Sequence, residues 1–545
     1  MSLRYSLGHG VLARVVAPAR LAFERQCHDM ESVQRQKLSS LLRAVAQTPS
    51  GQRRRIDPDW SFEQFASRLP ETGYDHWRAA IDEQRLGGAA LIASPVQRYQ
   101  PTSGSTSAIK WLPYTRRFLH ELDQAICPWL GDLYQSYPDI RAGSHYWSLS
   151  WVPTSMRKEL KGQINDDMKL LSAGKRLLAS MTQSVPETIA SAASSEDSRF
   201  ATLAWLVADE SLAVMSVWSP TFALTMLDDL SRWREELAEC LHVGHFAARA
   251  GSLAGVRCPR AVQRAVMLRQ WDGRQSAAFY SILWPKLTLI SAWDTASAAV
   301  WAAKLRRLFP AVAFQGKGLW ATEGVVTFPW QGHYPLAFRS HVYEFADAAS
   351  GDVLAPWQLE KHQEVIPLIS TGAGLLRYRM SDRLRVDHVI GQVPCFTFLG
   401  RDDGVDLVGE KLSSVLVQQI INRLDCPVDV QPLTLLALDN SNGKGTPGYV
   451  LLAEAVHGST VMERRLLARQ MEDALLESFH YRLARDLGQL APVSVVCRED
   501  MQHCYMRYCQ QRGMIDGNVK IEPLRYWPGM MLTDMVPDAT LQGVA

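Results

Sequence analysis

Nowhere in these 545 residues is there a run of about 20 uncharged apolar residues, so no segment is expected to span a bilayer. A secretion signal is missing as well. Arg4, Arg14, Arg20 and Arg25 interrupt the apolar N-terminal stretch, and no small-residue cleavage site follows it. Residues 11–30 are expected to form an ordinary amphipathic helix packed on the body, in preference to one lying on a membrane surface. Charge of one sign is equally lacking, with 58 Lys and Arg against 56 Asp and Glu. A net charge of +2 gives no broad positive field for nucleic acid or anionic lipid, and leaves room for a local basic pocket that takes a small anion. The nine cysteines form no CxxC pair and no disulfide framework, so reduced thiols and a cytoplasmic location are expected. His503, Cys504 and Cys509 have no second cluster with which to complete a tetrahedral zinc site. Glycine (35) and proline (27) stand at ordinary globular levels, which excludes collagen-like, mucin-like and disordered chains.

What is present suits a large folded chain of roughly two to four domains. Apolar periodicity predicts helices over 33–46, 60–69, 116–133 and 221–241, and short apolar runs predict strands over 146–152, 203–207 and 287–292. The Ser/Ala-rich stretch 187–199 reads as a surface loop. This alternation favours an α/β body. After Gly400 the pattern changes to a helix at 412–424, strands at 433–438 and 449–454, a long helix at 461–487 and a strand at 493–497. The Asn-, Gly- and Pro-containing turn 440–448 suits a hairpin between the first two of those strands. The chain therefore divides into a large mixed α/β body over 1–400 and a small α+β domain over 401–545.

Four segments carry chemistry. Thr102-Ser103-Gly104-Ser105-Thr106-Ser107-Ala108-Ile109-Lys110 combines hydroxyls, a permissive backbone and a lysine, which suits phosphate oxygens; it lacks the GxxxxGK[ST] spacing of a Walker A loop. Gly316-Lys317-Gly318-Leu319-Trp320-Ala321-Thr322-Glu323-Gly324 places an aromatic ring, a hydroxyl and a carboxylate within four positions. One such carboxylate is enough for a phosphate-bridged magnesium ion. In Tyr378-Arg379-Met380-Ser381-Asp382 the terminal carboxylate can accept hydrogen bonds from two vicinal ribose hydroxyls. Finally, Gly400-Arg401-Asp402-Asp403-Gly404, followed by Gly409-Glu410-Lys411, coincides with the boundary between the two domains.

Taken together, in this order and spacing, the four segments resemble the adenylate-forming superfamily, and most closely its plant-type auxin-responsive acyl acid amido synthetases. The resemblance extends from about Pro101 to Gly517-Asn518-Val519-Lys520. It implies a mixed α/β body of the adenylate-forming type and a mobile C-terminal lid that turns about Asp402 or Asp403. Ser103, Gly104, Ser105 and Thr106, with Lys110, look like the phosphate loop of that family. Trp320, Ala321 and Thr322 would belong to the ATP site, with Trp320 against the adenine face, Asp382 and Arg401 would fix the ribose, and Glu323 would hold Mg2+. Lys520 would be the catalytic lysine of the lid, with Lys411 as the other candidate. Two departures from the family pattern are Ser107-Ala108, where a second glycine is common, and Ser381, which replaces the glycine before Asp382. Acyl-pocket residues do not transfer by motif; Trp147, Trp151 and Trp218 are the candidates, and they would suit a planar or medium-sized apolar acid.

By this resemblance the chain would join a carboxylic acid to ATP, release pyrophosphate, and pass the acyl group from the acyl adenylate to the amine of an amino acid. Its partners would be those small molecules, with no nucleic acid, no membrane and no carrier-protein domain in the chain. A coenzyme A ligase or standalone adenylation enzyme shares the first half-reaction, but those ligases usually show a GRxDxxIKxxGxxI lid pattern in place of GRDDGVDLVGEKLS. The reading from another class is an inactive nucleotide-binding interaction protein.

Overall fold

The short apolar segments Ser144–Trp147, Leu212–Ser216, Leu289–Ser291 and Ala313–Gln315 pair as a parallel four-stranded sheet in chain order. Every residue of Leu212–Ser216 is buried, which is why the central strand reads as a continuous apolar run. The computed structural model describes residues 3–101, 110–148, 151, 180–401, 404–408, 410–439, 446–512, 514, 517, 519–527 and 529–536.

One apolar core, containing Phe200, Leu203, Leu230, Leu237 and Trp284, joins this sheet to the helices Ser195–Ala208, Pro220–Arg232 and Arg234–Val243. A second and larger core gathers the N-terminal helices, the helix Arg116–Ser136 and an antiparallel sheet. That sheet orders Val353–Leu354, Val342–Asp347, Glu364–Ser370, Asp382–Ile390 and Val393–Arg401, with Tyr378–Arg379 pairing on Glu364–Ser370. Beyond Arg401 a third sheet has Val430–Leu438 and Gly448–Ala455 antiparallel at its centre and Ser494–Arg498 and Leu524–Tyr526 parallel at its edges. Its hairpin is the one expected from sequence, although residues 440–445 of the turn lie outside the described residues.

Several expectations are corrected. Residues 203–207 are not a strand but part of the helix Ser195–Ala208, where Phe200, Leu203, Ala204, Leu206 and Val207 are all buried. A fully buried apolar run carries no periodicity to distinguish the two states. The supposed loop 187–199 holds a 3₁₀ turn, Glu187–Ser191, and the start of that helix, which Ser194 caps by accepting the Asp197 N–H. The long helix expected at 461–487 is two helices, Val461–Leu475 and Phe479–Asp486. The helix at 221–241 is likewise divided at Trp233. The helices Met501–Gln511 and Leu532–Met535 and the edge strand Leu524–Tyr526 were not anticipated. The N-terminal helix, Leu3–Gln26, packs on Arg116–Ser136, and among the described residues no helix is long and apolar enough to cross a membrane.

Two imidazoles in close contact, their planes tilted by 33°, pin the N-terminal helix to the parallel sheet. His9 and His145 have ring centroids 4.1 Å apart. His9 accepts from the Tyr134 hydroxyl at Nδ1 (2.8 Å) and donates from Nε2 to the Gly143 carbonyl (2.8 Å), while His145 donates to the Ile140 carbonyl (2.9 Å). Burial lowers the His145 pKa to about 3, assisted by the neighbouring His9, and burial lowers that of His9 too. Both rings are therefore neutral in the fold and protonated in the unfolded chain below about pH 6.5. Stability is present above that pH and is lost as pH falls. Between pH 7 and pH 5, His145 alone should account for a loss of about 2 kcal/mol. Urea unfolding midpoints at the two pH values should therefore differ less for His145→Gln than for the wild type; equal differences would refute the assignment.

Candidate active site

The carboxylate of Glu323 sits at the tip of a tight hairpin whose strands are Trp320–Ala321 and Gly324–Val325. A hairpin this short cannot hold its own shape. It is fixed from behind by a buried relay. The Val325 N–H donates to His341 Nε2 (3.2 Å), and His341 Nδ1 donates to Glu121 Oε2 (2.8 Å), which also accepts the Gly372 N–H (2.7 Å). Because Nε2 is an acceptor, the proton of the neutral ring lies on Nδ1. Burial lowers the pKa of His341 despite the pull of Glu121. Burial opposes the charge on Glu121, but the bond from His341, the nearby Lys37 and the Gly372 N–H together hold its pKa below the ordinary value. Phe118 stacks on the imidazole at 5.4 Å, and a Cβ at Gly324 would lie only 2.9 Å from Nε2. In front, Tyr114 donates to the Thr322 carbonyl (3.1 Å) and Tyr378 to Glu323 Oε1 (3.2 Å).

Asp382 and Arg401 are opposite one another on the antiparallel strands Asp382–Ile390 and Val393–Arg401. Lys520 arrives from the C-terminal region, its Nζ 3.8 Å from the centroid of the Trp293 ring. Glu522 accompanies it, 3.7 Å from Arg401 and 2.9 Å from Arg525. Burial raises the pKa of Asp382, against the attraction of Arg401 and Lys520, with Glu323 and Glu522 adding repulsion. Burial also lowers the pKa of Lys520, offset in part by Asp382 and Glu522. The two groups thus share a desolvated, mutually attracting environment. Lys411, by contrast, is exposed. Its neighbour Glu410 is buried and accepts the N–H groups of Leu407 and Val408 (both 2.8 Å) and the Tyr449 hydroxyl, a loop-fixing arrangement.

Beside Lys520, one cavity is lined by Trp293, Lys317, Trp320 and Phe398. Trp147 and Trp218 both face the Lys317 ammonium, at 5.9 and 4.8 Å, together with Trp129 at 5.5 Å. Trp151 lies elsewhere, packed on the helical core and donating to the Ala192 carbonyl (2.9 Å). Trp320 is half-buried, with Trp129 and Trp218 6.3 and 6.5 Å away. Lys110 lies over the Tyr74 ring at 5.4 Å. The phosphate-loop residues Ser103, Gly104, Ser105 and Thr106 lie outside the described residues, as do the hinge candidates Asp402 and Asp403.

The structure therefore brings Glu323, Tyr378, Asp382, Arg401, Trp320 and Lys520 into one region from four separate stretches of chain. Sequence reasoning missed Lys317, Trp129 and Trp293, and the whole Glu121–His341 relay. Lys317 did carry a signal, since a lysine between two glycines stands inside a segment already singled out. The relay carried none, because its members are 220 positions apart.

Residues 20–314 match the GH3 family N-terminal domain, and residues 334–401 the GH3 family central domain. The structure of GH3.15 acyl acid amido synthetase superposes with a TM-score of 0.73 at 16% identity, covering 94% of each chain. That of AtGH3.15 acyl acid amido synthetase in complex with 2,4-DB gives 0.71 at 17% identity, covering 95% of this chain and 94% of that one. At such identities the likeness establishes a common fold. Among curated proteins no sequence matches.

The relay predicts a local effect. His341→Leu leaves a buried carboxylate and a buried N–H short of their partners and should cost roughly 3 kcal/mol. The unfolding midpoint should fall, and amide exchange at Val325 should quicken more than in the parallel sheet. Unchanged exchange at Val325 would show that the hairpin is held by other means.

Proposed function

The chain belongs to the GH3 family, and from that premise we propose that it is an ATP-dependent acyl acid amido synthetase, forming an acyl adenylate and passing the acyl group to an amino acid. The observation that carries the reading is the meeting of Lys520 with Asp382, Arg401 and the Glu323 hairpin, four sequence-distant groups that each answer one need of adenylation. Joining two anions requires cationic charge where negative charge accumulates, and Lys520 supplies it at the α-phosphorus. Asp382 accepts from the ribose hydroxyls with Arg401 beside it, and Trp320 offers a ring to the adenine. Residues 102–110 embrace the phosphates.

The donor set around Glu323 fits magnesium. No group of three or more ligating side chains exists among the described residues, and this ion is commonly held by one or two carboxylates plus substrate phosphates. When bound at Glu323 the ion offsets triphosphate charge. Tyr378, donating to Oε1, orients that carboxylate toward the cleft.

Residues 1–400 form the ATP- and acid-binding body and 401–545 the lid, with Asp402 or Asp403 as the pivot. Lys520 enters the site when the lid is closed for adenylation, and Lys411 remains outside. Trp147 and Trp218 wall the acyl pocket, while Trp151 supports it from the helical core. Nine free cysteines, six of them buried, are compatible with the cytoplasm as the working compartment. Nucleic acid and membranes play no part in the reaction.

Acid-dependent exchange of labelled pyrophosphate into ATP, run across a panel of acids and followed by amide formation with amino acids, tests this reading. Exchange with transfer only to coenzyme A would identify a different ligase, and no exchange would leave a nucleotide-binding protein. Lys520→Ala should lose about 3 kcal/mol of transition-state stabilisation in adenylate formation, while aminolysis of supplied acyl adenylate survives. Equal losses in both half-reactions would contradict a lid that works in one pose. Asp382→Ala should raise the apparent KM for ATP through loss of the ribose acceptor, and an unchanged KM would misplace the ribose.

A further inference from the structure

Away from the cleft, the C-terminal region meets the body along an apolar seam, in which Leu224 and Trp301 pack with Val450, Leu452, Met501 and Tyr505. Four titratable residues border that seam. Asp228 lies one helical turn beyond Leu224 on Pro220–Arg232, and Lys304 one turn beyond Trp301 on Ala299–Leu308. From the other side, Glu454 follows Leu452 by two positions on Gly448–Ala455 and so shares its face of the sheet. His503 stands beside Cys504, another member of the same core, on Met501–Gln511.

Each of the two carboxylates is fixed by a neighbour on its own side. The Gln275 amide donates to Asp228 Oδ1, and the Gln502 N–H to Glu454 Oε2 (2.8 Å). Burial raises the pKa of both; these hydrogen bonds, Lys304 and His503 oppose the rise, and Glu454 also feels the repulsion of Asp228. Burial lowers the pKa of Lys304, against the attraction of Glu454 and Asp228 and with Arg307 adding to the fall. The other charges at hand are paired elsewhere. Asp229 is bonded to Arg199 (2.9 Å), and Arg498, opposite Glu454 in the sheet, to Asp500 (2.8 Å).

Lys304 packs on the Trp301 ring, its Nζ 4.7 Å from the centroid, and its charge is shared between a carboxylate of the body and one of the C-terminal region. Two like charges withdrawn from water repel strongly unless a cation offsets them. Here one stands on each side of the seam, so loss of the ammonium would turn attraction across it into repulsion. Either side keeps its own apolar core, and the effect therefore falls on docking rather than on folding. Trp301, beneath the ammonium, also lines the cavity beside Lys520. The seam and the catalytic cleft thus share a wall, although Lys304 itself does not line the cavity.

We propose that Lys304 is a positioning residue for adenylation: by sharing its charge between Asp228 of the body and Glu454 of the C-terminal region, it holds that region in the pose that carries Lys520 into the cleft. This rests on the reading of residues 401–545 as the lid of an amido synthetase and adds to it the contact that keeps the lid docked. Lys304 acts through Lys520 and touches no substrate.

Half-reaction kinetics and small-angle X-ray scattering of full-length variants decide it. Lys304→Met should lower the kcat of acid-dependent pyrophosphate exchange roughly tenfold, as expected when a shared charge is removed from a docking equilibrium, with the KM for ATP little changed. Aminolysis of supplied acyl adenylate should keep its wild-type rate, and the radius of gyration should increase. Lys304→Arg should recover most of the exchange. The double variant Lys304→Met/Glu454→Gln should regain exchange and compactness over Lys304→Met alone, because it removes one of the two repelling carboxylates. Wild-type exchange and scattering in Lys304→Met would overturn this assignment alone. So would equal losses in both half-reactions with a fallen melting temperature and no recovery in either the arginine or the double variant, which marks a merely structural lysine. A wild type that supports no acid-dependent exchange would remove the amido synthetase reading and this role with it.

Discussion

Glu121 is a carboxylate in the apolar interior, and the catalytic end of the molecule is organised around satisfying it. An ionised carboxylate removed from water is tolerable only when donors surround it. His341, the Gly372 N–H and Arg117 supply them, the last at 3.3 Å. Each donor comes from a different place: the residue just before the strand Val342–Asp347, the loop after Glu364–Ser370, and the helix that carries Glu121 itself. The cost of leaving that charge unpaired therefore locks three elements at once, and the Glu323 hairpin hangs from the far side of the same imidazole. A second buried pair extends the arrangement, for Arg377 bonds Glu344 at 3.0 Å and reaches the Ala66 carbonyl, fixing the chain next to Tyr378.

Against this rigid frame the C-terminal region contributes only a few side chains. Its sheet has its own apolar centre, with Leu435, Leu451, Met471 and Tyr481, and one further core joins Trp301 of the body to Tyr505, Trp527 and Met506. Lys520 and Glu522 reach the site from this side, one on an indole face and the other near an arginine. Alongside these polar and aromatic contacts, Leu224 of the body also packs against that shared apolar core.

Segments in which chemistry and spacing coincide were legible in the sequence. The Glu323, Asp382, Arg401 and Lys520 segments could be singled out because each sets a particular residue type at a fixed offset, and the fold brings those four side chains close to one another. The hairpin after residue 430 was legible from its two apolar runs and the Asn-, Gly- and Pro-containing turn between them, both strands being buried along most of their length. The misreadings have one cause. In 203–207 the deciding information is tertiary, since a largely buried helical segment has no amphipathic stripe, and at 461–487 no Pro or Gly marks the break between the two helices. The same applies to the relay, which exists only because folding brings residues 121, 341 and 372 together. Trp151 illustrates the limit of composition as a guide, because four residues of sequence separate it from Trp147 while the fold assigns the two to different cores.

The two glycines beside Lys317 divide what can drift from what cannot. A β-carbon at Gly318 would stand 2.1 Å from the Thr327 carbonyl oxygen, and one at Gly316 would displace the Tyr334 and Asp294 side chains. The indoles around the ammonium have no such constraint, since each is half-buried and borders open space. Change in this part of the chain would accordingly come through the rings around the lysine, one at a time, and not through the backbone that carries it.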